Sequence, residues 1–287
     1  MKTGIISFAS MHGRHPWKIG SSMIRGQWLA EAWPDADLWS NGRKFDALIF
    51  QKAYWEQMMN DFTGPKILDL CDPDWMDGNL ELIKVSKLVD AITCSNPGLT
   101  EFVSKVVKNI PVITVPDRLN MGYFTNPKKH IGRAKTVVWF GYSHNAKEVL
   151  PRVLSSLKQH GLDLLVVSNA GFNPINSFGV QIQNIEWSLE RAYEDIKLGD
   201  IAINPKSVFG NYRYKSNNKT LISWGLGIPV AETADDMVKF LEPAGRQKEV
   251  DARRVELEKD WDIQLSVRQF EDILKTIWSA RKNEKQS

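Results

Sequence analysis

The sequence predicts an α/β protein built from two Rossmann-like domains, each with a parallel sheet. Short apolar runs suited to strands alternate with amphipathic stretches of helix length along most of the chain, which is the pattern of parallel sheets covered by helices. This alternation stops at a polar, basic segment, residues 126–135, and then starts again. The length of 287 residues also leaves room for two modest domains.

The first predicted domain covers residues 1–125. Its predicted strands are the runs TGIISFA, DALIFQK, KILDLC, DAITCS and PVITVP. Predicted helices lie between them, near 21–33, 52–61, 79–87 and 97–108. The last of these helices begins at Asn96-Pro97, because proline is favoured in the first turn of a helix.

Residues 126–135 (NPKKHIGRAK) are predicted to form a hinge, followed by a second domain over 136–245. Its predicted strands are KTVVWFG, DLLVVS, GVQIQNIEW, DIAINP and IPVAE, with helices near 146–159, 188–197 and 216–225. The tail, 246–287, is predicted to be helical and to pack back across both domains. Its apolar face consists of Phe270, Ile273, Leu274 and Ile277.

Composition excludes several classes of protein. A hydrophobic content of 43% and a charged content of 25% are those of a globular protein, neither disordered nor fibrous. Cys71 and Cys94 fall in strand-like runs, which favours buried, reduced thiols. The sequence has no run of about 18 apolar residues and no signal peptide pattern. We therefore expect a cytoplasmic protein without a membrane span.

Motifs of the common enzyme classes are missing from the sequence. No cluster of Cys and His has the spacing of a metal site. The chain also has no G-x-S-x-G, P-loop or G-x-G-x-x-G motif. The sequence therefore does not indicate a serine hydrolase, an NTPase or a simple dehydrogenase.

Three loops at predicted strand ends contain cations and amides but no acid, although the chain has 34 acids in total. The first loop, within 7–30, contains Arg14, His15, Lys18 and Arg25. The second follows KTVVWFG and contains Gly141, Ser143, His144, Asn145 and Lys147. The third, within 203–223, contains Arg213, Lys215, Asn217, Asn218 and Lys219.

Ligands of open parallel sheets bind beyond the carboxyl ends of the strands. Helix N-termini and cationic side chains together form anion sites. The three acid-free loops therefore predict an anion cleft suited to a diphosphate, in which Asn217 or Asn218 caps a helix. The alternative is that they are solvated surface loops that happen to lack acids.

Asp72 and Asp74 follow the predicted strand KILDLC. At the carboxyl end of that strand they could orient the hydroxyl group of an acceptor or act as a base. The alternative is structural, since Asp-Pro-Asp is also a good turn sequence. The D-x-D pattern does not indicate a metal site, because Asp35-Ala36-Asp37 and Asp260-Trp261-Asp262 match it equally.

The whole chain resembles a small glycosyltransferase of the GT-B fold, close to glycosyltransferase family 4. The most specific match runs from Asn218-Lys219-Thr220-Leu221 to Gly225-Leu226-Gly227-Ile228-Pro229-Val230, which is similar to the donor-site helix and the following strand of that family. Gly141 matches the glycine after the first strand of the second domain. Ser95-Asn96-Pro97 and the run VITVPDRLNMGYF are supporting matches.

The resemblance implies two Rossmann-like domains that face a central cleft and bind a nucleotide sugar there. It implies donor contacts from Ser21, Ser22, Gly141, Ser143, His144, Asn145, Lys147, Lys215, Asn217, Asn218 and Thr220. From the loops described above, we expect Arg14, His15, Lys18 and Arg25 to contact the acceptor. The predicted catalytic residues are Asp72, Asp74, Arg213 and Lys219. The sequence departs from the family at Tyr214 and Ile222, where the family has two glutamates, and at Tyr142, where it has an arginine.

The predicted function is the transfer of a sugar from a nucleotide diphosphate sugar to a hydroxyl group, without a metal or cofactor. The resemblance implies that anomeric configuration is retained. The acceptor is expected to be a glycan or another soluble molecule, and the alternative acceptor is a hydroxymethylated base in phage-type DNA. An alternative of a different class is a binding module with the same fold and no catalysis.

Overall fold

The structure is a computed structural model. It describes residues 1–15, 19–73, 81–188, 190–205 and 213–284, except for the side chains of Ala234 and Glu284. Two of the predicted site residues, Lys18 and Asp74, lie outside the described residues.

The chain divides into two compact units. Unit 1 comprises Met1–Asn120, Asn211–Ser216 and Trp261–Ser287. Unit 2 comprises Met121–Gly210 and Asn217–Asp260. The units therefore interleave in sequence, whereas the predicted division placed its boundaries at residues 125, 135 and 245.

Each unit contains one parallel sheet. The strands are β1 Thr3–Ser7, β2 Ala36–Leu38, β3 Ala47–Gln51, β4 Lys66–Leu70, β5 Ala91–Cys94, β6 Val112–Thr114, β7 Thr136–Gly141, β8 Asp163–Ser168, β9 Ile182–Glu186, β10 Ile201–Ile203 and β11 Val230–Ala231. Unit 1 has the strand order β2-β1-β3-β4-β5-β6, and unit 2 has the order β11-β10-β7-β8-β9. This confirms the predicted pair of Rossmann-like sheets.

The strands of unit 1 follow the sequence pattern closely. All residues of β1, β3 and β5 are buried, as expected for central strands that are covered on both faces. The sequence analysis missed β2, an edge strand of three residues that pairs with β1 through Thr3 and Ala36. Its sequence, ADL, is too short and too polar to produce a strand signal.

The helices lie between these strands, as the alternation predicted. They are α1 Phe8–Met11, α2 Gly20–Ser22, α3 Trp28–Ala32, α4 Glu56–Asp61, α5 Leu82–Ser86, α6 Pro97–Val106, α7 Ser143–Val149, α8 Leu154–His160, α9 Ala192–Lys197, α10 Asn218–Gly225, α11 Ala234–Lys239, α12 Pro243–Asp260 and α13 Ile263–Glu284. A π-helical stretch, Met23–Gln27, joins α2 to α3.

The two long C-terminal helices belong to different units. Helix α12 is part of unit 2, and α13 is part of unit 1. The predicted apolar face of α13 is buried in unit 1, with Phe270 and Leu274 almost fully covered. Arg281 on its last turns pairs with Asp90 at 2.6 Å and so fixes the far end of the helix.

The predicted hinge, residues 126–135, packs on unit 2. Lys128 donates its backbone N–H to Leu226 O at 2.8 Å and places Nζ 3.1 Å from Asp200. His130 Nε2 lies 2.8 Å from Gly227 O, and its Nδ1 accepts a hydrogen bond from Arg246 Nε at 3.1 Å. These contacts make the segment part of the second unit, which its polar sequence did not indicate.

Two further expectations concern the cysteines and the membrane. Cys71 and Cys94 are buried free thiols, as predicted. Within the described part of the chain, no helix has both the length and the apolar character needed to cross a membrane.

Candidate functional site

In unit 2, the carboxyl end of β7 meets the first turn of α10. Gly141 ends the strand with a φ of +145°, which favours glycine. A Cβ atom added to Gly141 would lie 2.7 Å from Lys219 Nζ and 2.9 Å from Lys219 Cε. Glycine is therefore needed here for two reasons, the backbone angle and the close passage of the Lys219 side chain.

The ammonium group of Lys219 is held against an aromatic ring. Its Nζ lies 4.5 Å from the centroid of the buried Trp139 ring, a distance at which a cation is attracted to the face of an aromatic ring. Lys219 thus places positive charge at the carboxyl end of the first strand of unit 2.

Helix α10 is attached to the neighbouring strand end by a side-chain hydrogen bond. Asn204, which follows β10, donates its amide to Thr220 Oγ1 at 3.1 Å. Asn217 occupies the N-cap position of α10, but its side chain makes no capping hydrogen bond, contrary to the prediction. The Asn217 side chain therefore does not occupy the first-turn N–H groups of α10, and N–H groups at a helix start are suited to binding an anion.

The loop after Gly141 leads directly into α7. Ser143 begins that helix and donates its backbone N–H to Asn169 Oδ1 at 3.0 Å, which ties the ends of β7 and β8 together. Asn145 is half-buried, whereas His144 and Lys147 are exposed on α7. The structure thus brings Gly141, Ser143, Lys219 and Thr220 together at adjacent strand ends.

In unit 1, the predicted acceptor residue Arg25 proves to be structural. Its guanidinium is buried, lies 2.5 Å from Asp69 and 2.7 Å from Asp117, and also donates to Val115 O. Burial alone would lower the pKa of Arg25, but the two carboxylates outweigh that effect and raise it well above its ordinary value. A guanidinium enclosed in this way is not exposed to an acceptor molecule, so the expectation for Arg25 is corrected.

The other predicted residues of the first loop divide by exposure. Ser22 is fully buried and donates its hydroxyl to Gln51 Oε1 at 3.0 Å, so it is also structural. Ser21 is half-buried, and Arg14 and His15 are exposed. The sequence could not show which of these residues are buried, because the polar partners of Ser22 and of Arg25 are distant from them in sequence.

Asp72 lies at the carboxyl end of β4 in an ion pair. Its Oδ2 is 2.7 Å from Lys52 Nζ, and the carboxylate is partly exposed. Lys52 follows β3 and has a φ of +50°, which costs a non-glycine residue about 1–2 kcal/mol. The structure therefore retains Asp72 as a candidate for contact with an acceptor.

Arg213 and Lys215 belong to unit 1 and not to the start of α10, where the sequence placed them. Tyr214 between them is buried in the core of unit 1, and its carbonyl accepts a hydrogen bond from Asn96 Nδ2 at 2.7 Å. The Arg213 guanidinium stacks on the Tyr214 ring at 4.6 Å and donates to its hydroxyl group. Both cations are exposed, and they belong to unit 1, whereas Gly141 and Lys219 belong to unit 2.

Four site residues were missed by the sequence analysis. Asn169 is the first residue after the predicted strand DLLVVS, a position that could have revealed it. Lys52 and Asn204 were placed inside the predicted strands DALIFQK and DIAINP, whereas the observed strands end just before them. Trp139 lies inside β7, so its contact with Lys219 left no signal in the sequence. Among the described residues, no group of three or more His, Cys, Asp or Glu could hold a metal ion.

Known structures with the same two-unit architecture are similar to this chain. An alpha-glucosyltransferase in complex with UDP and a DNA that contains an HMU base has a TM-score of 0.66 at 11% identity, covering 96% of this chain and 99% of that one. The T4 phage BGT, in complex with UDP and Mn2+, has a TM-score of 0.51 at 14% identity, with 99% of each chain covered. The chain has the GT-B fold.

TarM has a TM-score of 0.61 at 8% identity. The alignment covers 86% of this chain and 56% of TarM, so this chain spans little more than half of that protein. No family model and no curated protein sequence matches the chain. The resemblance to glycosyltransferase family 4 in particular stays a prediction.

Proposed function

We propose that the protein is a glycosyltransferase that takes its sugar from a nucleotide diphosphate sugar. The observation that carries the proposal is the position of Lys219, whose ammonium lies over Trp139 and beside Gly141 at a strand end of unit 2. A diphosphate is complementary to a site of this kind, because a fixed cation and the N–H groups at a helix start both attract phosphate oxygens. Two similar GT-B proteins were each determined with UDP, which supports a nucleoside diphosphate as leaving group.

Catalysis would depend mainly on the charge of the departing diphosphate. As the bond from the anomeric carbon to the diphosphate breaks, negative charge grows on the phosphate oxygens. The Lys219 ammonium and the first-turn N–H groups of α10 would stabilise that charge without having to reorganise. Asp72 in unit 1 would contact the hydroxyl group of the acceptor. Arg213 and Lys215 are proposed only to add positive charge on unit 1.

A hydroxylated base in DNA is the acceptor that the comparisons favour. The similar alpha-glucosyltransferase was determined in complex with a DNA that contains an HMU base, and the alignment covers 96% of this chain and 99% of that protein. The alignment with the T4 phage BGT covers 99% of each chain. TarM matches over only 56% of its own length.

A glycan acceptor is the second candidate. TarM was also determined in complex with alpha-GlcNAc-glycerol and UDP, and that structure has a TM-score of 0.60 with this chain. A non-catalytic binding module is the third candidate, because Tyr214 and Ile222 stand where family 4 has its two glutamates.

A transfer assay separates these candidates. Purified protein is incubated with a panel of nucleotide sugars and with one of three acceptors. These are duplex DNA that contains hydroxymethylated bases, the same DNA without modification, and glycans. The nucleoside diphosphate released in each reaction is measured. We expect release that depends on the hydroxymethylated DNA. Release with glycans alone would favour the second candidate, and donor binding by calorimetry without any release would favour the binding module.

Three finer points accompany the proposal. We propose retention of anomeric configuration, which NMR of the product would test, and catalysis without a metal, which activity in excess EDTA would test. We also propose a cytoplasmic location, where a nucleotide sugar and DNA are both accessible, and cell fractionation would test it.

A further inference from the structure

Three loops of unit 1 converge around the side chain of Lys52. Phe8 follows β1, Lys52 follows β3 and Asp72 follows β4. The Lys52 ammonium lies 2.7 Å from Asp72 Oδ2 and 5.6 Å from the centroid of the Phe8 ring. Only 13% of the Lys52 side chain is exposed, so the group is fixed between the ring and the carboxylate rather than extended into water.

The backbone at Lys52 is held in an unfavourable conformation. Its φ of +50° lies in the left-handed region, which side chains with a Cβ atom adopt rarely. Lys52 N–H donates to Asp69 O at 2.9 Å, and this hydrogen bond fixes the turn. Non-glycine residues in this conformation concentrate at functional sites. Glycine would adopt this backbone conformation without strain. The presence of lysine instead indicates that the lysine side chain has a function.

The described contacts of Asp72 involve one of its two oxygen atoms. Oδ2 accepts from Lys52 Nζ and lies 3.6 Å from Cys71 Sγ. Burial and the Asp72 charge raise the pKa of Cys71 well above its ordinary value, so the thiol keeps its proton and donates it. The described contacts of Asp72 thus all fall on Oδ2, and the side chain remains 38% exposed. That exposure leaves carboxylate surface that an incoming hydroxyl group can approach.

We propose that Lys52 is the positioning residue for Asp72, and that Asp72 Oδ1 accepts the proton of the acceptor hydroxyl group. This inference rests on the proposed glycosyltransferase function. In the step, the acceptor O–H bond breaks and its proton passes to Oδ1. The acceptor oxygen forms a bond to the anomeric carbon on the face from which the diphosphate departs, in keeping with the proposed retention. The bond from that carbon to the diphosphate breaks with its electron pair on the diphosphate. No covalent bond of Lys52 forms or breaks in this step.

Lys52 would have two effects in this step. It fixes the carboxylate in one orientation, and misplacement of a reacting group by about 1 Å can cost roughly 100-fold in rate. It also offsets the Asp72 charge, which would otherwise repel a phosphate of a DNA acceptor. If the ion pair between Lys52 and Asp72 only stabilised the fold, its removal would lower stability and would not lower the turnover of the folded protein.

The test compares four variants of the full chain. Lys52→Met removes the ammonium, and Lys52→Gly removes it while relieving the backbone, since glycine tolerates a φ of +50°. Lys52→Arg keeps the charge. Lys84→Met is the matched control, because Lys84 forms an exposed ion pair with Glu56 elsewhere in unit 1. Turnover, KM for the donor and melting temperature are measured for each variant.

We expect Lys52→Met and Lys52→Gly to lower kcat by about 10-fold or more while KM for the donor stays within about twofold. Lys84→Met should match the wild type. n-Butylammonium should restore part of the kcat of Lys52→Gly in a saturable manner. In an Asp72→Asn background, the further change Lys52→Met should have little additional effect, because both residues act through one group.

Two results would overturn the inference. One is a kcat of Lys52→Gly within about twofold of the wild type. The other is a loss of kcat that tracks a fall in melting temperature and that the amine does not relieve. The proposed function is tested separately: a wild-type protein that transfers no sugar and binds no nucleotide removes both proposals, whereas an active wild type with an unaffected Lys52→Gly removes only this one.

Discussion

The strand ends of the two units differ in charge and in how their polar groups are satisfied. In unit 1 they carry carboxylates that face cations within the same unit, as in Arg25 with Asp69 and Lys52 with Asp72. In unit 2, β7 ends at Gly141, β8 ends at Ser168 and Asn204 follows β10, and Lys219 lies beside Gly141. Unit 1 is therefore suited to orienting a hydroxyl group, and unit 2 is suited to binding an anion.

The largest expected effect comes from breaking the buried ion pairs of unit 1. Arg25→Met would leave Asp69 and Asp117 buried without their cation, which costs about 3–5 kcal/mol in the free energy of unfolding. Urea unfolding followed by circular dichroism measures this loss. The control Arg43→Met removes an exposed pair with Asp37 and should cost less than about 1 kcal/mol. Similar losses for the two variants would contradict the structural role of Arg25.

The next effect concerns the anion site of unit 2. Lys219→Ala removes the ammonium beside Gly141, and a hydrogen bond to a charged group contributes about 1.5–3 kcal/mol. We therefore expect the affinity for a nucleoside diphosphate to fall by about 10- to 100-fold, as measured by calorimetry. Lys248→Ala, an exposed lysine on α12, is the matched control and should leave the affinity unchanged. An unchanged affinity in Lys219→Ala would place the anion site elsewhere.

Gly141→Ala tests the same site without removing a charge. The added methyl group would meet Lys219 Nζ at 2.7 Å and would also strain a backbone with a φ of +145°. The lysine tip would have to move, so we expect about a 10-fold loss of nucleotide affinity. The control is Gly161→Ala, where φ is also positive but no atom lies within 4 Å of the added methyl group. If both variants bind nucleotide equally well, the contact between Gly141 and Lys219 has no functional role.

The smallest expected effect is a pH dependence of the stability of unit 2. Burial lowers the pKa of His130 from its ordinary 6.5, and the nearby Arg246 and Lys128 act in the same direction. The unfolded chain then binds more protons than the native state between the lowered pKa and 6.5. The contribution of His130 to stability is therefore complete above about pH 6.5 and is lost as the pH falls.

Thermal melts between pH 8 and pH 5 measure this dependence. His130→Gln keeps a donor for Gly227 O and cannot be protonated, so its melting temperature should fall less steeply over the same range. Equal slopes for the wild type and His130→Gln would show that another group is responsible.

Much of the fold could be predicted because parallel strands leave a strong pattern. The runs DALIFQK and DLLVVS became β3 and β8, buried on both faces. The short edge strand β2 gave no such signal. The interleaving of the units could not be predicted, because it depends on tertiary contacts such as the burial of Tyr214 in unit 1.

The site was partly predictable for the same reason. Gly141 and Lys219 were found because glycine at a strand end and lysine at a helix start are local features. Arg25 was misassigned, because its carboxylate partners lie 44 and 92 residues away in sequence. Lys52 was missed, because its unusual φ is visible only in three dimensions.

The most direct measurement is a crystal structure of the protein with a nucleoside diphosphate. The account predicts a diphosphate at the carboxyl end of β7, with a phosphate oxygen within about 3 Å of Lys219 Nζ and of the first-turn N–H groups of α10. A diphosphate bound at the strand ends of unit 1, or away from Lys219 altogether, would contradict it.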